Sequence, residues 1–369
     1  MFYSAVDLPI LCNTMAGANV QRGKVTMRLG LMLGYSGARI SVDIGRIQEA
    51  DALGYDSVWT AEAWGSDAVS PLAWAGSHTK NIKLGTAIMQ LPGRSPANTA
   101  MTAMTMDQLS GGRFLLGLGT SGPQVVEGWH GKPWWKTLTW MREYITICKK
   151  IFAREERLEF DGDHYQIPFR GEHSKGLGKP LKSIIHGRAD IPIYTGSMAP
   201  KGQELSGELA DGCLLTCMDP GKPEIIVERL ERGFATAGGG KSMADFDLAP
   251  TVAVIMGDDL DACRMPLKFQ LALYIGGMGA KKKNFYNDYI RSIGFEEAAV
   301  KIQDLYWDGK KQEAVAAVPD ELVDTLYLVG PKERIRDRFQ AWKESSAVGT
   351  MIIGTEQIEV IRLLAELNS

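Results

Sequence analysis

Strand-like and helix-like segments alternate along almost the whole of this 369-residue chain, and this alternation constrains the fold more than any other feature. Short apolar runs such as RFLLGLG are followed by segments whose apolar residues recur every three to four positions, the period of an amphipathic helix. Eight such units in succession predict an α/β protein with a (β/α)8 TIM barrel that carries insertions. The predicted strands lie near residues 27–35, 57–63, 82–89, 113–119, 190–196, 212–218, 245–256 and 348–355.

Several helix boundaries follow from capping residues. Ser95-Pro96 is a typical N-cap and first-turn pair, because the serine hydroxyl can accept a hydrogen bond from a backbone N–H and proline has no N–H that would need a partner. The first helix is predicted over residues 38–54, with Ile40 on its apolar face and Gly54 as its C-terminal stop. These signals place the helices between strands, as a barrel requires.

The alternation is interrupted in two regions. Residues 157–190 contain a predicted hairpin and a long loop, and residues 275–328 belong to a helical stretch too long for one crossover. We interpret both as insertions into a single domain that spans residues 27–369. Residues 1–26 precede the regular pattern, and we expect them to form a poorly ordered N-terminal extension. They also lack the basic segment of a secretory signal peptide.

The charge balance and the cysteines argue against several function classes. With 41 basic and 44 acidic residues, the net charge is −3, so no bulk basic field attracts nucleic acid. No apolar run approaches the roughly 20 residues of a membrane-spanning helix. The five cysteines are scattered, which favours reduced thiols, and Cys213 and Cys217 are too far apart on one strand for a local metal pair. We therefore expect a cytoplasmic protein with no metal site.

The stretch GLGTSG places Gly117, Gly119 and Gly122 in the G-x-G-x-x-G spacing of a dinucleotide-binding turn. Such a turn must open a helix directly, because the pyrophosphate sits on the N-terminus of that helix. Here the next convincing helix is predicted to start only near Leu138, and three strand-helix units come before the motif. The context therefore argues against a Rossmann site.

The same stretch fits a long loop at the C-terminal mouth of the fourth barrel strand, where barrel enzymes place their chemistry. Glycines would let the backbone approach a flat ligand, and Thr120, Ser121 and Gln124 could form hydrogen bonds with it. A purely structural turn is the alternative for this loop.

Two further strand ends carry candidate groups. Gly196, Ser197 and Met198 form a turn of mostly small residues just before a helix with Pro200 in its first turn. Free N–H groups and the helix dipole favour an anion there. Glu62 follows the second strand between apolar neighbours and is either a paired structural carboxylate or an active-site group. An ordinary connecting turn remains the alternative for residues 196–198.

Several segments together resemble the luciferase-like, coenzyme F420-dependent oxidoreductase family, and specifically an actinobacterial subgroup. They include GYDSVWTAEAWGSDA, IKLGTAIMQLPGRSPA and LSGGRFLLGLGTSGPQVVEGWHG, and the resemblance extends from Met27 to the C-terminus. It implies a barrel, often a homodimer, with the deazaflavin ring of coenzyme F420 across its mouth. FMN, which is also a phosphorylated tricyclic ring, is the alternative cofactor.

The resemblance also implies roles for individual residues. Family members carry a non-prolyl cis peptide at the end of strand three, which maps onto Ala87-Ile88 and would form a bulge behind the ring. The backbone of Met89 and the side chain of Gln90 would lie near the ring edge, and Glu62 matches an acidic position of the family. The backbone N–H groups that would hold the cofactor phosphate are those of Gly196, Ser197 and Met198.

The chain departs from the sugar-phosphate dehydrogenases of that family. These have Asp-His after strand two, where this chain has Glu62-Ala63 and so lacks the catalytic histidine. Asp219 stands where they place a phosphate-binding lysine, and Gly122-Pro123 occupies the area of their strand-four acid. We therefore do not expect a sugar-phosphate substrate.

The group that exchanges a proton must then come from elsewhere, and Tyr35, Glu62, Glu127 and His130 are the candidates. Each also has a structural interpretation, as a loop-packing, paired or solvated side chain. Proton transfer needs a group within hydrogen-bond reach of the substrate and with a suitable pKa.

We predict an oxidoreductase that moves a hydride between C5 of the deazaflavin and a small, fairly apolar carbonyl, alkene or alcohol. An FMN-dependent two-component monooxygenase and a non-catalytic flavin-binding or deazaflavin-binding protein are the alternatives. The aromatic residues that motivate an apolar substrate are Trp64, Trp129, Trp134 and Trp135.

Overall fold

The computed structural model describes residues 27–35, 37–279, 281 and 283–369, so the predicted N-terminal extension lies outside the described residues. Eight parallel strands pair in chain order, and the last pairs with the first, which closes the barrel. The predicted (β/α)8 fold is therefore confirmed. The barrel strands are β1 (Arg28–Met32), β2 (Ser57–Thr60), β3 (Lys83–Thr86), β4 (Phe114–Gly119), β5 (Ile193–Gly196), β6 (Gly212–Leu215), β7 (Asp247–Met256) and β8 (Thr350–Gly354).

Helices surround the barrel and fill the insertions. They are α1 (Ile44–Ala52), α2 (Val69–Ser77), α3 (Pro96–Leu109), α4 (Pro123–Gly128), α5 (Thr137–Ala153), α6 (Pro200–Leu209), α7 (Glu224–Ala237), α8 (Leu260–Ala272), α9 (Phe285–Ser292), α10 (Glu296–Trp307), α11 (Lys311–Ala316), α12 (Asp320–Leu326), α13 (Lys332–Glu344) and α14 (Ile358–Asn368).

Helix boundaries agree with the capping signals at some positions and not at others. The Ser95 hydroxyl accepts a hydrogen bond from the N–H of Asn98, which confirms the predicted cap of α3. The first helix begins six residues later than predicted, because the Asp43 side chain caps it. Ile40 therefore lies outside that helix and is exposed, so its predicted place on the apolar face of the helix was wrong.

The prediction that no helix follows the glycine motif directly was also wrong. Helix α4 begins at Pro123, immediately after Gly122, and α5 begins at Thr137. A stretch with two prolines and three glycines offered a weak helix pattern, and α4 is only six residues long. The argument against a dinucleotide fold still stands, because the strands close into a barrel instead of forming an open sheet.

The first insertion contains the predicted hairpin, formed by Phe160–Asp161 and Gln166–Ile167. Its tip is held on α5 by the buried carboxylate of Glu143, which accepts hydrogen bonds from three successive backbone N–H groups. Among the described residues, the predicted helical stretch that includes the second insertion divides into five helices, α8 to α12, and a π-helical turn, Leu273–Gly277. It ends in a short strand, Leu328–Gly330, that pairs with β7 and that the sequence analysis took as helix.

Opposite the mouth, a polar cluster closes the N-terminal end of the barrel. The carboxylate of Asp247 accepts hydrogen bonds from Tyr194 at 2.9 Å and Thr350 at 2.8 Å and pairs with Arg28 at 2.9 Å. Burial and the adjacent carboxylate raise the pKa of the Tyr194 hydroxyl. Groups at this end of a TIM barrel stabilise the fold.

The first two glycines of the motif are explained by the packing of strand β3 against β4. A Cβ on residue 117 would overlap the carbonyl oxygen of Thr86, and one on residue 119 would lie 2.7 Å from the side chain of Ile88. The Thr86 hydroxyl also bonds to both the N–H and the carbonyl of Gly117 at 2.8 Å. These glycines therefore allow β3 and its continuation to approach β4.

Within the described part of the chain, no helix is long and apolar enough to cross a membrane. Nor do the described residues contain a group of three or more His, Cys, Asp or Glu side chains placed to hold a metal ion. Cys148, Cys213, Cys217 and Cys263 are free and buried.

We predict that Gly117→Ala lowers the free energy of unfolding by about 3 kcal/mol or more, because the added methyl group meets backbone that cannot move away cheaply. Gly128→Ala in α4 is the control. No atom lies within 4 Å of the Cβ position there, so the change should be neutral or stabilise by up to about 1 kcal/mol. Urea denaturation measures both, and equal stabilities would contradict the packing argument.

Candidate active site

The floor of the barrel mouth is formed by the side chain of Ile88. A Cβ on Gly119 or Gly196 would lie 2.7 or 2.9 Å from this side chain, so both neighbouring strands need glycine for it to fit. The Ala87-Ile88 peptide bond is cis, as the family resemblance implies. Ala87 and Ile88 are both partly buried and pack on the apolar barrel interior. Together they offer a flat apolar surface that suits a planar ring.

Four hydrogen bonds converge on the carboxylate of Glu62, whose side chain is 9% exposed. Arg94 donates to both carboxylate oxygens at 2.9 and 3.0 Å, and the N–H groups of Ala68 and Gln90 donate one bond each at 3.0 and 3.2 Å. This arrangement ties the end of β2 to the residues that follow β3. It assigns Glu62 a structural role and leaves its oxygens little capacity to accept a substrate proton.

Gln90 continues this network towards the mouth and is only 2% exposed. Its side-chain Nε2 donates to the carbonyl oxygen of Glu62 at 3.0 Å and lies 3.4 Å from the Ser121 hydroxyl. Its Oε1 lies 2.8 Å from Nε2 of His130. The structure thus brings together four predicted site residues, Glu62, Gln90, Ser121 and His130.

His130 is the half-buried member of this group. Burial lowers its pKa from the usual value, Arg94 and Lys132 act in the same direction, and Glu62 opposes them. Glu62 is the largest charge effect on the ring, but burial outweighs it. The imidazole is therefore neutral at pH values near 7.

Four other candidates lie apart from the network. Glu127 and Gln124 are exposed on α4 and have no hydrogen bond to another described side chain. Tyr35, 65% exposed after β1, lies instead beside Tyr274. Thr120 is half-buried at the end of β4. These residues follow barrel strands in the sequence, but their side chains do not meet in the structure.

Tyrosines from the second insertion form a wall that the sequence analysis missed. The rings of Tyr274 and Tyr286 meet edge to face with their centres 4.7 Å apart. The backbone N–H of Asp219 donates to the Tyr289 hydroxyl at 2.9 Å. Burial raises the pKa of all three hydroxyls, so they stay protonated. The motif FYNDY was the visible signal, but its placement depends on the fold of the insertion.

Arg94 is a further site residue that the sequence analysis missed. It lies between β3 and α3, with its side chain 18% exposed, and neutralises Glu62 across 32 positions of sequence. The sequence offered one signal for this contact. A basic residue follows the end of β3, and an acidic residue follows the end of the neighbouring strand β2.

The turn predicted to seat a phosphate has the expected form. Helix α6 begins at Pro200 and has no side-chain cap at its N-terminus, so no capping side chain accepts hydrogen bonds from the N–H groups of its first turn. The Ser197 hydroxyl accepts from Ala199 at 3.2 Å, and the buried Cys213 thiol lies beside the Ser197 N–H, with its pKa raised by burial to about 12. Gly196 is half-buried and Met198 is buried.

Met89 and the four tryptophans do not share one environment. The Met89 side chain is fully buried, so only its backbone is available near the mouth. Trp134 donates to the carbonyl of Ser121 at 3.2 Å and belongs to the mouth loop. Trp135 instead packs on His164 of the hairpin, with ring centres 4.6 Å apart. Trp64 and Trp129 are exposed.

Comparison with known proteins was consistent with this architecture. Residues 25–348 match the luciferase-like monooxygenase family. The chain is 44% identical, over 92% of its length and 99% of the relative's, to a protein of Mycobacterium tuberculosis that carries the provisional name coenzyme F420-dependent oxidoreductase.

Two solved structures share the fold. Coenzyme F420-dependent tetrahydromethanopterin reductase from Methanopyrus kandleri has a TM-score of 0.72 at 21% identity, over 92% of this chain and 97% of that one. A coenzyme F420-dependent secondary alcohol dehydrogenase, in complex with an F420-acetone adduct, has a TM-score of 0.71 at 17% identity, over 93% and 98%. At these identities the likeness concerns the fold alone.

If Glu62 is structural, Glu62→Gln should lower the free energy of unfolding by about 3 kcal/mol, because the largely buried Arg94 then keeps only the more distant carboxylate of Asp67, at 3.9 Å, among the described residues. Glu127→Gln makes the same chemical change at an exposed site and should stay within about 0.5 kcal/mol of the unaltered protein. Urea denaturation of the two variants tests this, and matching unfolding midpoints would show that the network contributes nothing.

Proposed function

The chain belongs to the luciferase-like monooxygenase family, and from that premise we propose that it is an oxidoreductase that uses coenzyme F420. It transfers a hydride between the deazaflavin ring and a small, fairly apolar alcohol, carbonyl compound or activated alkene. The extensive identity with the Mycobacterium tuberculosis relative supports the choice of cofactor.

The single observation that carries this proposal is the position of Ile88 between Gly119 and Gly196. The two glycines leave room for the Ile88 side chain, which packs on the apolar barrel interior and gives the mouth an apolar floor. Gly196 also begins the turn that leads into the uncapped N-terminus of α6. Gly196 thus belongs both to the apolar floor and to the turn that would bind an anion. A planar ring joined to a phosphate fits these two adjoining surfaces.

When bound, coenzyme F420 supplies C5 as the atom that accepts or donates the hydride. The residues of this chain would position the two reactants. Ile88 would support one face of the ring, the backbone of Met89 would lie near its edge, and the N–H groups of Met198 and the first turn of α6 would hold the phosphate. Trp134 and the tyrosine wall, formed by Tyr274, Tyr286 and Tyr289, would exclude water from the reacting atoms.

The substrate class follows from the groups around the mouth. Buried tyrosine hydroxyls and indole rings suit an apolar molecule with one oxygen that accepts a hydrogen bond. Asp219, buried after β6, would repel a phosphate group there. These features support alcohols, ketones and enones and oppose sugar phosphates. We also expect a cytoplasmic homodimer, which sedimentation of the purified protein and cell fractionation would test.

Titration of the purified protein with coenzyme F420 and with FMN, followed by tryptophan quenching, tests the cofactor. We expect saturable binding of coenzyme F420 at concentrations where FMN does not bind. Reduction of the bound cofactor by secondary alcohols, but not by sugar phosphates, should follow. Selective FMN binding, with oxygen uptake by the reduced protein, would instead support the monooxygenase, and binding without any turnover would support a carrier.

Ser197→Asp tests the phosphate seat. A carboxylate at this turn should repel the phosphate and weaken coenzyme F420 binding at least about tenfold, since 1.4 kcal/mol of repulsion suffices. Binding of the deazaflavin core without its phosphate should not change. Ser70→Asp, in the exposed first turn of α2, introduces the same charge at another helix start and should leave both affinities unaltered. Equal loss for the phosphate-free core would contradict the assignment.

A further inference from the structure

The orientation of the Gln90 amide is fixed by its neighbours. The carbonyl oxygen of Glu62 can only accept a hydrogen bond, so the amide group that faces it at 3.0 Å must be the NH2. The other amide atom, Oε1, then faces His130. Because the side chain is 2% exposed, no competing water is available to support the opposite orientation.

This orientation determines the tautomer of His130. Oε1 of Gln90 has no hydrogen to donate, so the ring nitrogen 2.8 Å away, Nε2, must carry the proton. In a neutral imidazole the other nitrogen, Nδ1, is then the basic atom. No hydrogen bond to Nδ1 occurs among the described residues, and Nδ1 is not a buried atom without a partner, so it is accessible from outside.

Burial is the main reason that the His130 ring is neutral. Arg94 and Lys132 disfavour the imidazolium and Glu62 favours it, while burial acts with the two cations. Glu62 is engaged by Arg94 and by two backbone N–H groups, so it does not form an ion pair with His130.

We propose that Gln90 is a positioning residue that holds His130 with Nε2 protonated, and that Nδ1 of His130 exchanges the proton of the substrate hydroxyl. This inference rests on the proposed function. In alcohol oxidation the carbinol C–H bond breaks and its electron pair leaves with the hydride to the cofactor, while the O–H proton passes to Nδ1 and a C=O bond forms. In the reverse direction the imidazolium returns that proton to the oxygen.

The first test needs no cofactor. In protein labelled with 15N at histidine, the ring nitrogens of His130, identified by comparison with His130→Asn, should show the Nε2-protonated tautomer above the histidine pKa. Gln90→Leu should lose this preference. A wild-type ring protonated at Nδ1, or an unchanged tautomer in a folded Gln90→Leu variant, would overturn the proposal. Because the spectrum is recorded without cofactor, a failure to bind coenzyme F420 leaves this result standing.

The second test is the pH profile of alcohol oxidation. The neutral ring accepts the proton, so kcat should fall as the pH drops through the His130 pKa, which lies below the ordinary value of about 6.5. Gln90→Glu places a carboxylate against Nε2–H, favours the imidazolium and should move this limb upward by about 1 pH unit or more. His130→Asn keeps a donor for Gln90 but should lower kcat about 100-fold, with little change in KM, and remove the limb.

Gln108→Glu is the matched control, because Gln108 is exposed on α3 and bonds only to the carbonyl of His186. It should leave the profile unchanged. Two results would overturn the role of His130: a limb that persists in His130→Asn, or a limb that does not move in Gln90→Glu although the 15N spectrum shows a raised pKa of His130.

Discussion

The ion pair between Glu62 and Arg94 is the interaction on which the rest of the mouth depends. A carboxylate with two backbone donors and a guanidinium joins the end of β2, the start of α2 and the segment between β3 and α3. Its desolvation is tolerable because every lone pair direction has a partner. Since the N–H and the side chain of Gln90 are both bonded to Glu62, this pair also fixes the group that orients His130. A charge that looks catalytic in the sequence thus acts by holding its neighbours in place.

The second constraint is the closeness of β3 and β4. Gly117 lets the Thr86 carbonyl enter the space that a side chain would occupy, and Gly119 does the same for the side chain of Ile88. The chain after β3 can therefore turn inward and cover the barrel interior. In an open dinucleotide-binding sheet, glycines with this spacing let the backbone approach a pyrophosphate. In this barrel they let a neighbouring strand lie close instead, so the same spacing serves a different contact.

Local patterns predicted the local parts of this structure. The eight strands follow from apolar runs, and the cap at Ser95 follows from one side chain three residues from its donor. Contacts between distant residues could not be predicted in this way. Arg94 meets Glu62 across 32 positions, and Tyr289 meets Asp219 across 70. Ile40 had the right period for a helix, but Asp43 starts that helix later. The cis bond at Ala87-Ile88 came from the family resemblance and from no local pattern.

Glu62-Ala63 stands where the resemblance implies an Asp-His pair in the sugar-phosphate dehydrogenases, so one acid/base group is absent, and the consequence depends on the partners of the remaining carboxylate. A carboxylate free to pair with His130 would stabilise the imidazolium and raise the pKa of the ring, so that less of it would be in the neutral, proton-accepting form near pH 7. Here Glu62 is bonded to Arg94, and burial, with Lys132 and Arg94, outweighs the effect of Glu62 and lowers the pKa of His130, so the ring stays neutral with its basic nitrogen opposite the one that Gln90 holds. A neutral base suits removal of a hydroxyl proton, whereas donation to a carbonyl oxygen requires prior protonation. Under the proposed function, acid conditions would therefore favour reduction of a carbonyl compound, and neutral conditions would favour oxidation of an alcohol.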